Sequence, residues 1–206
     1  MQAPVVYVAT SNAGKLAEME ALFVAAPFTL ARYPDYVSPV EGDASYAENA
    51  ALKARALHAQ LRVAGLPAYV LADDSGLEVE ALAGRPGVLT AEYGGSDVPW
   101  SERRTRLLAE LAGVPPGEAR RARFVCALHL IDDTGRELAT FGAVEGEIAP
   151  EERGEDGFSF DPIFLYPPLG RTFAELSPRE KNQVSHRAVA ASSLRAILRN
   201  EEPPGD

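Results

Sequence analysis

An α/β fold built on a mixed, twisted sheet with flanking helices is what the sequence predicts, and three observations predict it. Val5-Val6-Tyr7-Val8-Ala9 is a continuous apolar run rich in β-branched residues, as expected of a strand buried on both faces. It passes into the polar turn Thr10-Ser11-Asn12-Ala13-Gly14-Lys15, and Leu16, Met19, Leu22 and Phe23 then recur at helical spacing. Residues 124–131 and 138–144 are apolar strands joined by Asp132-Asp133-Thr134-Gly135, most simply an antiparallel hairpin, so the sheet is not purely parallel.

The remaining elements follow in order. Pro34, Pro39 and Gly42 keep residues 27–43 irregular, and the capping-box pattern Ser45-Tyr46-Ala47-Glu48 starts a second helix over about 46–61. Asn49 and Lys53 share one face of that helix. Tyr69-Val70-Leu71-Ala72 predicts a buried strand ending at a tight turn, Asp73-Asp74-Ser75-Gly76. Leu77, Val79 and Ala81 then alternate with Glu78 and Glu80 as a half-exposed strand. A third helix is expected over 99–111, a loop with a short strand at 162–165 over 154–168, and a last helix over 185–199 with Val189, Leu194, Ile197 and Leu198 as its buried stripe. One domain over 1–200 is expected, with 201–206 as a flexible tail.

Composition excludes several classes. With 30 Asp plus Glu against 20 Lys plus Arg, the formal charge is 20 − 30 = −10, which argues against a broad footprint on a nucleic-acid backbone. No apolar run reaches the ~18 residues of a membrane span, and the first residues lack the pattern of a signal peptide, so a soluble, cytoplasmic protein is expected. Cys126, the single cysteine, sits in an apolar run and reads as a buried hydrophobe. Arginine outnumbers lysine 17 to 3. The two serve almost equally on a solvated face, so Lys15, Lys53 and Lys181 are candidates for sites that need a compact ammonium.

Three clusters could carry chemistry. The turn Thr10 to Lys15 leads into a helix N-terminus, where free amides and the positive helix end favour an anion, although an ordinary helix cap also accounts for it. It is not a Walker A loop, because the glycine spacing and the hydroxyl after the lysine are missing. Asp73 and Asp74 lie at a strand end where successive side chains point to opposite faces, so at most one enters a given cleft directly. With Glu41 they form a hard-oxygen set suited to a magnesium-type ion, and two solvated aspartates in a turn are the plainer alternative. Gly157-Phe158-Ser159-Phe160-Asp161-Pro162 sets aromatic faces beside a carboxylate, fit for a planar heterocycle or simply for core packing. Glu180-Lys181-Asn182 and Ser185-His186-Arg187 add donors near the last helix, while His58 and His129 read as structural. A Ser75–His186–Asp74 hydrolase triad lacks the nucleophile elbow.

Taken together, these stretches resemble the inosine triphosphate pyrophosphatase family, in five ordered blocks that span nearly the whole chain. The family's [ST]-x-N-x-x-K matches Thr10 to Lys15, and E-x-x-x-[ST]-[FY]-x-x-N-A-x-x-K-A matches Glu41 through Ala54. A-D-D-S-G-L-x-V-x-A-L-x-G-x-P-G-V matches Ala72 through Val88. G-F-G-Y-D-P-I-F is similar to Gly157 through Phe164, and the A-E-L, E-K-N and S-H-R series to Ala174 through Arg187. Ser159 and Phe160 replace the usual Gly and Tyr, Asp43 stands where a small residue is common, and Glu92 stands where Arg is frequent.

The resemblance implies two lobes with a nucleotide cleft between them. It also implies Mg²⁺-dependent hydrolysis of non-standard purine nucleoside triphosphates such as dITP, ITP and XTP to the monophosphate and pyrophosphate, with homodimers usual. Asp74 aligns with the proton acceptor and is catalytic together with Asp73 and Lys53, while Asp74 and Glu41 hold the metal. Thr10, Ser11, Asn12, Ala13, Gly14, Lys15 and Ser75 take the phosphate side of the substrate, with Lys53 and Lys181 adding positive charge. Phe158, Ser159, Phe160, Asp161, His186 and Arg187 take the base. Two rivals are a Maf-like pyrophosphatase of modified pyrimidine nucleotides and a nucleotide-binding protein without catalysis.

Overall fold

The computed structural model describes residues 3–201 of the chain. Among the described residues, seven strands form one sheet in the order β2-β1-β3-β4-β5-β6-β7. They are β1 (Val5–Val8), β2 (Thr29–Ala31), β3 (Val70–Val79), β4 (Arg121–Ile131), β5 (Glu137–Ile148), β6 (Phe164–Tyr166) and β7 (Arg171–Thr172). Five α-helices accompany them among the described residues: α1 (Ala13–Leu22), α2 (Tyr46–Val63), α3 (Trp100–Glu110), α4 (Pro178–Val184) and α5 (His186–Glu201). Among the described residues, two compact units can be distinguished, one of residues 3–74, 126–142 and 187–201, the other of 75–125 and 143–186.

In the first unit β1 pairs in parallel with both neighbours, Val6 opposite Leu30 on β2 and Tyr7 opposite Val70 on β3. Alternation along these strands sorts the core. Val6 and Leu71 pack with Met19 and Leu22 of α1 and with Ala190, Ala191 and Leu194 of α5. Val70 and Ala72 pack with Ala54, Leu57 and Leu61 of α2. Helix α2 starts where expected, Ser45 Oγ accepting from the Glu48 amide at 3.1 Å. Burial of α5 falls on Ala188, Ala190, Ala191 and Leu194 rather than on Val189, which is exposed, so its packed face is made of smaller side chains than expected.

The second unit packs Leu77, Val79, Leu107, Leu111, Phe124, Ile148, Phe160, Phe164 and Phe173 into one core. Here β6 pairs antiparallel with β5, Ile148 opposite Phe164, and β7 pairs antiparallel with β6. The sheet is therefore mixed, as the sequence predicts. Helix α4 is an addition, opened by a Ser177–Glu180 capping box with Pro178 in the first turn. Only Ser185 separates it from α5, which reaches Glu201 and so replaces the start of the expected tail. Residues 202–206 lie outside the described residues.

The main departure from expectation is β3. Instead of strand, turn and strand, residues 70–79 form one continuous strand that carries Asp73 and Asp74 in its buried middle. A pair of aspartates favours a turn when its carboxylates need water. Here each carboxylate meets a cation instead, which removes that need.

Candidate active site

Period-2 alternation sends the two aspartates to different partners. Asp73 follows Leu71 toward α1 and α5: Lys15 Nζ lies 2.8 Å from its Oδ1, and Arg187 Nε donates to Oδ2 at 3.2 Å. The Cys126 thiol, 3.7 Å away, donates to the same Oδ2. Arg187 also bonds Glu18 Oε2 at 2.8 Å. Asp74 follows Ala72 toward α2. Lys53 Nζ donates to its Oδ1 at 2.8 Å and to Glu41 Oε2 at 3.0 Å, and Asn49 Nδ2 reaches Asp74 Oδ2 at 3.4 Å. Asn49 also exchanges two hydrogen bonds of 2.9 Å with the backbone of Gly42, beside Glu41.

These surroundings split the electrostatics of adjacent carboxyls. Burial acts to raise the Asp73 carboxyl, but Lys15, Arg187 and Lys53 outweigh it and hold it far below the ordinary carboxylate range, a permanent anion. For Asp74 burial wins over Lys53 and Lys15, and its carboxyl is raised. Burial acts to lower Lys53, yet Asp74, Asp73 and Glu41 overcome it and keep the ammonium charged. The Cys126 thiol is pushed well up by burial and by Asp73, so it stays protonated and unreactive. A buried carboxyl whose proton affinity is raised is better suited to accept a proton than its neighbour, which is held as an anion.

The loop Thr10 to Lys15 is positioned by its own cap. Asn12 is the N-cap of α1, its Oδ1 accepting from the Gly14 and Lys15 amides at 2.9 and 3.2 Å. The Thr10 hydroxyl oxygen accepts from the Asn12 amide at 3.1 Å, and Ser11, Asn12 and Ala13 are exposed. Asn12 thus serves the helix through its side chain, as the plainer reading had it.

In the second unit the loop from Gly157 to Asp161 has its own framework. Asp161 Oδ2 accepts from the Phe158 amide at 2.7 Å and from Lys181 Nζ at 2.6 Å. A Cβ at Gly157 would come within 2.3 Å of that oxygen, and its φ of +78° suits glycine alone. Phe160 is fully buried against Trp100 and Tyr93, edge to face at 5.4 and 5.9 Å. Phe158 is half-buried, with the Lys181 ammonium 4.7 Å from its ring centre. The His186 ring stacks on Phe124 at 4.9 Å.

Two cations and one ring have other partners than the sequence predicts. Arg187, expected to aim a donor at a base, is buried with its guanidinium on Asp73 and Glu18. Lys181, expected to add charge to the phosphate side, is bonded to Asp161 under Phe158. Phe160 is core rather than a stacking face. Ser75 directly follows Asp74 in β3 and is half-buried. Glu18, Asn49 and Cys126 were not among the expected site residues. Glu18 lies one turn after Lys15 on α1, a spacing that places both on one face, and Asn49 lies one turn before Lys53.

A metal would find hard oxygens at Glu41 and Asp74. Glu41 is more than a third exposed, whereas the Asp73 oxygens face Lys15, Arg187 and Cys126. Among the described residues no group of three or more His, Cys, Asp or Glu side chains is arranged to hold an ion. Two carboxylates without a third protein ligand fit magnesium, which keeps several waters and takes further oxygens from substrate phosphates.

Comparison with known proteins matches a model of the Ham1 family to residues 6–197. A dITP/XTP pyrophosphatase of Geobacillus kaustophilus is 46% identical over 193 residues, covering 92% of this chain and 91% of that one. Another, from Thermus thermophilus, is 42% identical over 201 residues, covering 97% and 94%. Among solved structures, the Staphylococcus aureus Ham1 protein superposes with a TM-score of 0.79 at 35% identity, covering 96% of this chain and 100% of that one. A Mycobacterium abscessus nucleoside-triphosphatase / dITP/XTP pyrophosphatase superposes with a TM-score of 0.68 at 38% identity, covering 94% and 98%.

Proposed function

The chain belongs to the Ham1 family, and from that premise we propose that it hydrolyses non-standard purine nucleoside triphosphates, dITP, ITP and XTP, to the nucleoside monophosphate and pyrophosphate. The observation that carries the reading is the pair of adjacent buried carboxylates with opposite electrostatics, Asp73 locked by Lys15 and Arg187 and Asp74 raised by burial.

Asp74 accepts the proton of the water that attacks the α-phosphorus, and the bond from that phosphorus to the bridging oxygen breaks as pyrophosphate leaves. Lys53, between Glu41 and Asp74, holds both carboxylates in place and partly neutralises them. Asp73 fixes the Lys15 ammonium, and through Arg187 it ties α1 to α5. Lys15, together with the exposed residues Ser11 and Ala13 at the start of α1, takes phosphate oxygens. Magnesium, when bound at Glu41 and Asp74, supplies charge neutralisation on those oxygens. Phe158 offers a ring face to the base. His186 and nearby backbone supply the donors that favour a 6-oxo group over adenine's amino group. Each donor left unpaired by ATP costs about 1–3 kcal/mol. The proposal extends to a homodimer in the cytoplasm, to be checked by light scattering on the purified protein and by fractionation.

The test is a panel of dITP, XTP, ITP, GTP and ATP with MgCl₂, scoring pyrophosphate against orthophosphate. Pyrophosphate from dITP and XTP at least about 10-fold faster than from ATP is expected. Orthophosphate as the product overturns the reaction type, and equal turnover of ATP and dITP overturns the selectivity.

A further inference from the structure

The loop that carries Phe158 contains a residue in a conformation its type does not favour. Ser159 has φ +59°, the left-handed region, where a Cβ clashes with the backbone. A non-glycine residue stays there only when its surroundings hold it. Beside the turn's own hydrogen bond, from the Asp161 amide to the Phe158 carbonyl at 3.1 Å, holding contacts come from α3. Arg104 Nη1 donates to the Ser159 carbonyl at 2.8 Å, and the other arm of the same guanidinium, Nη2, pairs with Glu152 Oε2 at 2.9 Å. The Arg104 side chain is only 13% exposed, so its bond to the Ser159 carbonyl is made largely out of water, while the Glu152 carboxylate that pairs with its other arm is exposed. One turn earlier on α3, Trp100 takes the buried Phe160 ring edge to face. Two positions four apart on one helix thus grip two consecutive loop residues, and Phe158 is the next residue along.

We infer that Arg104 is a positioning residue for base binding: it holds Ser159 in the left-handed conformation and so fixes the direction of the Phe158 ring. The inference rests on the reading that Phe158 meets the base. A planar guanidinium can serve a carbonyl and a carboxylate at once, whereas a lysine ammonium in its place reaches only one of them well. Glycine at 159 adopts the same backbone without strain and needs the hold less. The two positions should therefore be coupled.

The test is a set of four chains, wild type, Arg104→Ala, Ser159→Gly and the double variant, with Arg104→Lys as the conservative partner. Far-UV circular dichroism checks that each is folded. Amide hydrogen exchange on the protein without nucleotide reads the loop directly, because the Phe158 amide bonds Asp161 only while the loop is in place. In Arg104→Ala, exchange at residues 158–160 is expected to quicken about 10-fold, the scale of one lost charged hydrogen bond. KM for dITP should rise by a similar factor, with kcat within about twofold. Arg104→Lys should fall between, and Ser159→Gly in the Arg104→Ala chain should recover most of both effects. Unchanged exchange in Arg104→Ala overturns the inference, as does a double variant no better than Arg104→Ala. Faster exchange with an unchanged KM shows that the hold is real but does not serve base binding, which overturns the positioning role. Faster exchange in a protein whose wild type does not hydrolyse dITP leaves the hold standing and removes the proposed function instead.

Discussion

The carboxylate cluster of the first unit and the aromatic loop of the second both rest on a buried lysine paired with an aspartate, yet they are balanced differently. Around Asp73 and Asp74 the charges are Glu18, Glu41, Asp73 and Asp74 against Lys15, Lys53 and Arg187, so 3 − 4 leaves one net negative charge. Around Phe158 the pair Lys181–Asp161 sums to zero. An unbalanced cluster draws a cation and can bring a carboxylate into chemistry, while a neutral one beside an aromatic face suits an uncharged ring. The difference teaches that the same kind of ion pair sits in an unbalanced cluster in one unit and a balanced one in the other, the contrast on which the proposed division between phosphate chemistry and base recognition rests.

The sharpest way to break this comparison is Asp74→Asn. It should lower kcat by about 10³-fold or more, since proton acceptance is lost, while the melting temperature stays within a few degrees. Near-native turnover would separate the raised carboxyl from catalysis. Asp73→Asn should act on stability instead. It leaves Lys15 and Arg187 buried without their shared anion, at about 3–5 kcal/mol, or a fall in Tm on the order of 10 °C. The sign of its pH dependence follows from the direction of the shift. A carboxyl held far below its unfolded value stabilises the fold above that value, about pH 4, and the contribution fades as pH falls toward the folded one. The Tm gap between wild type and Asp73→Asn should therefore narrow below about pH 4, and a gap that widens there would contradict the pairing. In the second unit, Phe158→Ala should raise KM for dITP about 10–100-fold with little change in kcat, the scale of one lost stacking contact. A fall in kcat alone would move Phe158 out of base binding. The smallest effect belongs outside both clusters. Arg55, exposed and bonded to Glu137 at 2.7 and 2.9 Å, should cost no more than about 1 kcal/mol on mutation to Ala, measured by denaturant unfolding.

Much of the fold is legible because β1 and residues 124–131 of β4 are apolar runs and α2 carries its own start signal at Ser45. The centre of strand β3 is not legible in the sequence for a physical reason. Whether Asp73-Asp74 turns toward water or stays in a strand depends on Lys15, Lys53 and Arg187, which the fold brings in from 58, 21 and 114 positions away. Helix α4 is only seven residues long and shows no apolar period, although Ser177-Pro178-Arg179-Glu180 spells its capping box. At the site, the residue types at Asp74, Lys53 and Glu41 and the glycine-started loop could be read directly. The assignments of Arg187 and Lys181 could not, because a cation's partner is set by packing in space. Asn49 was visible beside Lys53 on α2, but its grip on Gly42 depends on how the loop at 42 folds back.

The most direct measurement is hydrolysis of dITP in ¹⁸O-labelled water with magnesium, followed by mass analysis of both products. If Asp74 drives water onto the α-phosphorus, the label appears in dIMP and none in pyrophosphate. Label in pyrophosphate, or release of orthophosphate, contradicts it.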